Sequence, residues 1–448
     1  MKFLNKQFTQ ETLKLALPVM LTQVGQVSVN LFDNIIVGKL LGAKALAAVS
    51  LGNAMFFSIF IFGLGFSLAI PPLVSEAHSQ HDHNRINSIF RHGFVVNIIL
   101  AFVLMLLIFG IIPLMPYLNQ PKEILPDTIT FLSIVTLSII PFMIFQTMRE
   151  VSEGLSFTIG VTKATIFANI INVILNYVFI EHFKMGVAGS AWATFIARVA
   201  MMVFLYYVLI KEEKTRRYIK DFSLKIKDFT KEMFEKLIRL GFPTALQLFF
   251  EVTAFAGAAF ICGLISAKDI AAHQIALSMA SFTFNLCVGF SVASTVMIGR
   301  KLGEKDFVNL EKVGFNNLKI AFIFMLMCGL VFILGKDVLP TFFTKKEDIA
   351  VVELASQLMI IAALFQLSDG IQVTALGCLR GIQDVKIPSI LTFIAYWVIT
   401  IPLGYYLTVP MKMGAFGMWI ALGIGLTISA VLLVIRFRNL SEKRIKAQ

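Results

Sequence analysis

The sequence predicts an all-α integral membrane protein of twelve transmembrane helices in two pseudo-symmetric six-helix lobes. Three observations carry that expectation. Long apolar runs recur from end to end of the chain, the pattern of helices able to cross a bilayer. Lys and Arg gather in alternate loops. The two halves of the chain also repeat one another, at a nearly constant offset that carries Pro18 onto Pro243.

Composition supports the first observation. Of 448 residues, 57% are hydrophobic and only 15% are charged, against about 25% charged in ordinary soluble domains. The mean hydropathy is +0.82. The spans are expected near 11–38, 45–75, 89–116, 127–152, 159–181, 186–210, 238–265, 270–299, 313–337, 348–378, 387–408 and 413–437. Each must be helical, because a lipid-exposed segment has to satisfy its own backbone hydrogen bonds. The opening MKFLNKQFTQETLK is polar and basic, and no cleavable signal peptide is expected.

The basic residues set the expected orientation. With the N-terminus inside, the N-terminal arm, the even-to-odd loops and the C-terminal tail hold 29 of the 39 Lys and Arg, the opposite face holds 9, and Arg198 lies within a span. This is the positive-inside pattern, so both termini are expected in the cytoplasm of a cell whose inner membrane holds the protein. The net charge of +12 is read as topology, with no nucleic-acid partner. Cys262, Cys287, Cys328 and Cys378 all lie in apolar stretches, show no metal-ligand spacing and are expected to be unpaired.

The repeat divides the chain into an N-terminal lobe at 1–210, a basic cytoplasmic linker at 211–237 and a C-terminal lobe at 238–448. LKLALPVMLTQVGQ, with Pro18, matches IRLGFPTALQLFFE, with Pro243. FGLGFSLA, with Gly65, matches CVGFSVAS, with Gly289. Six spans per half is an even number, so both halves enter the membrane in the same direction. They are expected to be related by an axis along the membrane normal, with a cavity between them. Within the linker, Phe222 to Arg239 alternates apolar and basic residues and predicts an amphipathic helix on the inner surface.

Asp33, Glu251 and Asp369 fall inside the first, seventh and tenth spans. An acid at mid-span costs about 3 kcal/mol on insertion scales and is by default a functional candidate. A structural hydrogen bond or ion pair between helices is the competing explanation. Asn34 follows Asp33, Asn172 and Asn176 share a helical face four residues apart, and Thr194 sits in the next span. Such hard oxygens suit Na⁺ or a proton, or else bond one helix to another. Arg198 is a buried cation for which Glu150 and Glu153 are candidate partners. His78, His81 and His83 match no strong metal site, and His273 is expected at the start of the eighth span.

On LFDNIIVGKLLGAKALAA, the NxxxN of NIINVILNY, FFEVTAF, AAHQIALS and SDGIQVTALGCLRGIQD, the chain resembles the MATE (multidrug and toxic compound extrusion) transporters, and most closely the bacterial NorM-type branch. The resemblance spans essentially the whole chain. It implies a secondary antiporter, not an enzyme, that exports small organic cations in exchange for Na⁺ or H⁺ by alternating access. It implies no cofactor and no partner beyond the lipid bilayer, and a monomer is expected. Glu251 and Asp369 match the family's second-lobe cation carboxylates, and Asp33, Asn172, Asn176 and Thr194 match its first-lobe cation or proton site. Na⁺ at Glu251, Asp369 or Asp33 is the metal reading. Asn34, Gln247, Phe250, Gln274, Phe365 and Gln366 are candidate substrate contacts. The chain departs from the pattern twice. Asn176 stands where many members have aspartate, and Phe365 stands where NorM-type members place a tyrosine. A lipid-linked or single-metabolite exporter or flippase of the same superfamily is the alternative.

Overall fold

The computed structural model describes residues 4–117, 121–225, 228–343 and 349–447. It is helical nearly throughout, with no strand among the described residues. In chain order the helices are α1 (Lys6–Leu41), α2 (Ala43–Ser67), α3 (Ile70–Ser79), α4 (His83–Ile111), α5 (Leu125–Leu137), α6 (Ile139–Gly154), α7 (Ile159–Tyr177), α8 (Gly186–Lys211), α9 (Glu213–Lys220), α10 (Lys231–Gly263), α11 (Ala267–Gly303), α12 (Phe307–Gly335), α13 (Ile349–Gly381), α14 (Lys386–Phe393), α15 (Ile401–Thr408) and α16 (Gly414–Lys446).

Eleven stretches among the described residues are long and apolar enough to cross a membrane. The twelfth is α5 with α6, one expected span bent by 42° at Ser138. Other spans are also broken. The second expected span is α2 followed by α3, which begins at the Ile70-Pro71-Pro72 step. The eleventh is α14, a π-helical stretch at Ile394–Thr400, and α15. Pro402 has no N–H to give to the carbonyl one turn back, which interrupts the regular ladder just where the π-helical stretch ends. Residue 348, the expected start of the tenth span, lies outside the described residues.

The repeat is visible in the backbone. Among the described non-glycine residues, those with positive φ form three pairs: His81 and Lys305, Ser156 and Gln383, and Lys184 and Lys412. The members of each pair lie within a few residues of the spacing between Pro18 and Pro243. Each pair marks the same turn in the two halves. After His81 and Lys305, Asp82 and Asp306 cap α4 and α12 by accepting from the backbone N–H three residues on.

The chain forms two compact units whose borders fall inside helices, not at the linker. One unit comprises Met1–Met20 with Leu246–Gln448, and the other comprises Leu21–Ala245. Helices α1 and α10 therefore each contribute to both, dividing just after Pro18 and Pro243. In the first-named unit, Thr12 donates to Asn317 Oδ1 at 2.6 Å, Arg300 pairs with Glu11 at 2.6 Å, and Gly289 lies against Ala16, whose carbonyl a Cβ would meet at 2.8 Å. In the other, Gly65 lies against Ala245, whose Cα a Cβ would meet at 2.6 Å. The two glycines matched by the repeat make the same contact, each with the helix that carries a matched proline.

The linker departs from expectation. Helix α9 ends at Lys220, α10 begins at Lys231, and the described residues between them are almost wholly irregular, so no amphipathic helix runs from Phe222. Ile226 and Lys227 lie outside the described residues. The expected helix loses to side-chain contacts with α4. Tyr218 bonds His83 at 2.7 Å, Phe222 packs on Phe90 and Phe94, Asp228 pairs with Arg91 at 2.7 Å, and the Thr230 N–H donates to His92 Nε2 at 2.8 Å.

Candidate ion-coupling sites

In the unit Leu21–Ala245, α1 and α7 bring Asp33 and the two asparagines together. The four-residue spacing puts Asn172 and Asn176 on one face of α7. Asn176 Nδ2 donates to Asp33 Oδ1 at 2.6 Å and lies 3.3 Å from Asn172 Oδ1. All three side chains are buried. Thr194 makes no hydrogen bond to them among the described residues; its hydroxyl donates to the Ser190 carbonyl of its own helix at 3.1 Å. Asn34 is half-buried, and its Oδ1 has no hydrogen-bond partner among the described residues.

Arg198 stands near this group. Its Nη1 donates to Ser138 Oγ at 2.6 Å, at the bend between α5 and α6, and its guanidinium lies over Phe56 at 4.8 Å and Phe142 at 5.2 Å. Its charge and that of Asp33 act on each other. The candidate partners Glu150 and Glu153 are engaged elsewhere. Gln146 donates to Glu150 at 2.5 Å, and Arg149 pairs with Glu153 at 2.7 Å.

The second site lies wholly in the other unit. Glu251 on α10 and Asp369 on α13 are both buried, and their charges act on each other. Gln372 Nε2 lies 3.4 Å from Glu251 Oε1. The Tyr396 hydroxyl lies 3.0 Å from Gln372 Oε1 and 3.5 Å from Glu251 Oε1. Arg380, further along α13 than Asp369, adds a positive charge that acts on Glu251. Asp369 accepts no hydrogen bond among the described residues. A buried carboxylate without a donor needs positive charge delivered to it, as a proton or a metal cation.

Sequence reasoning missed Tyr396, Gln372 and Arg380. Phe365 supplies no oxygen, and its ring packs between Phe255 and Trp419 at 6.2 Å and 5.5 Å. Tyr396 brings a phenol to Glu251 from the π-helical stretch instead. No local spacing in the sequence pointed to that approach. The remaining candidate contacts scatter. Gln247 is buried one turn before Glu251, close enough to act on its carboxyl. Gln366 is fully buried, and neither amide atom has a hydrogen-bond partner among the described residues. Phe250 is half-buried against Phe393, and Gln274 is exposed. His273 is not at the helix start. Ser266 caps α11, and His273 is buried near Trp419 at 5.9 Å. The described residues hold no cluster of three or more His, Cys, Asp or Glu able to bind a metal ion.

The two sites are not copies of one another. The offset of Pro18 and Pro243 carries Asp33 onto Ala258, and the offset of Ser156 and Gln383, nearer in the chain to Asp369, carries Asp369 onto Phe142. The backbone is duplicated and the charges are not.

Comparison with known proteins follows the same division. The model of the MatE family matches twice, over residues 18–178 and 243–406, so that the two matches begin at the paired prolines. The chain is 33% identical over 442 residues to a probable multidrug resistance protein NorM of Agrobacterium fabrum, covering 97% of this chain and 94% of that one. It is 30% identical over 440 residues to the multidrug resistance protein MdtK of Yersinia pseudotuberculosis, covering 96% and 95%. Among solved structures, the eukaryotic MATE transporter AtDTX14 superposes with a TM-score of 0.88 at 17% identity, covering 98% of this chain and 99% of that one. An outward-facing multidrug resistance MATE transporter superposes with a TM-score of 0.88 at 19% identity, covering 98% and 96%.

Proposed function

The chain belongs to the MATE family of multi-pass membrane transporters, which are not enzymes, and from that premise we propose that it exports small organic cations in exchange for Na⁺ or H⁺ by alternating access. The observation that carries this reading is the pair Glu251 and Asp369. Both acids are buried in one unit. A phenol and an amide approach Glu251 only at long hydrogen-bond distances, and Asp369 accepts no bond among the described residues. In an ordinary helical core such a pair is costly. In an antiporter it is what the coupling ion occupies for part of the cycle. An ion or proton bound there changes which packing of the helices is favoured, and that difference in affinity is what drives a second solute uphill.

Relatives named as multidrug resistance proteins support an organic-cation substrate, as does the excess of buried acids at the two sites. The inner membrane of the cell, with both termini in the cytoplasm, is the orientation that the basic loops favour. The acids of both units, Glu251 with Asp369 and Asp33 with Asn172 and Asn176, are the groups that take up the coupling ion, and the protein acts as a monomer.

Purified protein in liposomes, loaded with a fluorescent organic cation, tests the reading. Efflux is expected under an imposed Na⁺ gradient or an imposed pH gradient. Absence of efflux under both would overturn it, and efflux under one names the coupling ion.

A further inference from the structure

We propose that Arg198 is a tethered counter-cation for Asp33, supplying from a side chain the positive charge that a free alkali cation would otherwise bring, so that Asp33 is not a Na⁺ site. The inference rests on reading Asp33 as an ion-coupling acid and narrows which ion it takes.

Four observations in the unit Leu21–Ala245 carry it. Arg198 is a cation within a membrane span, held by Ser138 Oγ at 2.6 Å and enclosed by the faces of Phe56 and Phe142. An arginine so held keeps its charge, and its position is fixed from two sides. Arg198 stands on α8, which packs along the α7 that carries Asn172 and Asn176, and Asn176 in turn bonds Asp33, so the two charges are brought close enough to act on each other. The other nearby polar groups are neutral amides, because position 176 holds asparagine. Finally, Asn176 presents an N–H donor, not an oxygen, to the carboxylate at 2.6 Å.

Charge counting then decides between occupants. Asp33 contributes one negative charge and Arg198 one positive, so the group is neutral overall. An alkali cation entering it would meet a fixed like charge in a low-dielectric interior and would have to displace the Asn176 donor. The guanidinium needs no loss of translational freedom to stay, because it is already part of the chain. The second acidic site differs in kind. There, Glu251 and Asp369 act on each other while the one arginine, Arg380, acts on Glu251, so net negative charge is left for a mobile cation.

The test is sodium binding by equilibrium dialysis with radioactive Na⁺, on full-length protein in lipid nanodiscs. It is made in an E251Q/D369N background, so that the result does not depend on the second site or on whether that site couples export. With Arg198 in place, Na⁺ binding is expected to be absent and unchanged by Asp33→Asn. Arg198→Met is expected to create a Na⁺ site, at least about tenfold tighter than background, that Asp33→Asn abolishes again. Arg198→Lys, which keeps the charge, is expected to bind no Na⁺. Should Arg198→Met not fold, as judged by thermal unfolding, Arg198→Gln serves the same purpose, keeping a donor for Ser138 without the charge. The proposal is overturned if Na⁺ binds with Arg198 intact and is lost on Asp33→Asn. It is equally overturned if removing the Arg198 charge creates no new site in a folded protein.

Discussion

Asn176 donates its amide hydrogen to Asp33 at 2.6 Å, joining α7 to α1 inside a single compact unit. This bond gives the buried carboxylate a donor, and it also sets what happens when the donor is removed. Asn176→Leu leaves Asp33 buried without its donor, at a cost of about 1–3 kcal/mol. A lower unfolding temperature and loss of coupled efflux are expected together. A variant as stable and as active as the parent would mean that Asp33 relies on some other group.

Glu251→Gln and Asp369→Asn each remove a charge while preserving shape. Both are expected to insert normally and to lose gradient-driven efflux in proteoliposomes. Wild-type efflux from either would show that the acid it removes is not needed for coupling.

Tyr396→Phe keeps the buried ring and removes the hydroxyl shared by Gln372 and Glu251. Loss of one such hydrogen bond is worth about 1 kcal/mol, or about fivefold in apparent affinity for the coupling ion. The concentration dependence of ion-driven efflux measures it. An unchanged curve would place the phenol outside the ion's reach.

Gly65→Ala and Gly289→Ala each push a Cβ to within 2.6 Å or 2.8 Å of neighbouring backbone, so a helix must move. Each is expected to cost about 1–3 kcal/mol of stability. Gly110→Ala, on a helix face with nothing within 4 Å, is the control and is expected to be neutral or slightly stabilising. Equal unfolding temperatures for all three would show that the close approach is not tight in the folded protein.

Much of this architecture is legible in the sequence because the bilayer imposes a coarse rule. Length and apolarity give the spans, and the duplicated prolines and glycines give the repeat. Asp33, Asn172 and Asn176 were legible as a group because two of them lie four apart on one helix. Thr194 was not separable from them, since a threonine in a helix can always bond back to its own carbonyl. Tyr396 and Gln372 were invisible for a different reason. Their approach to Glu251 depends on how α10, α13 and the π-helical stretch pack, and no local spacing encodes that. The linker misled because its alternating pattern was read as a helix face. Its aromatic and acidic side chains are engaged one by one by α4 instead.

The division of α1 and α10 has a consequence for how the protein is made. Thr12 finds its partner Asn317 only after 305 further residues have been synthesised. The unit Leu21–Ala245, by contrast, lacks the opening turns of α10 until synthesis has passed Ala245. The first unit to be completed on the ribosome is therefore one that borrows from the second half of the gene, while the earliest residues to emerge wait longest to be packed. Expression of the two halves as separate polypeptides, cut anywhere in the linker, would leave each product missing a piece held by the other.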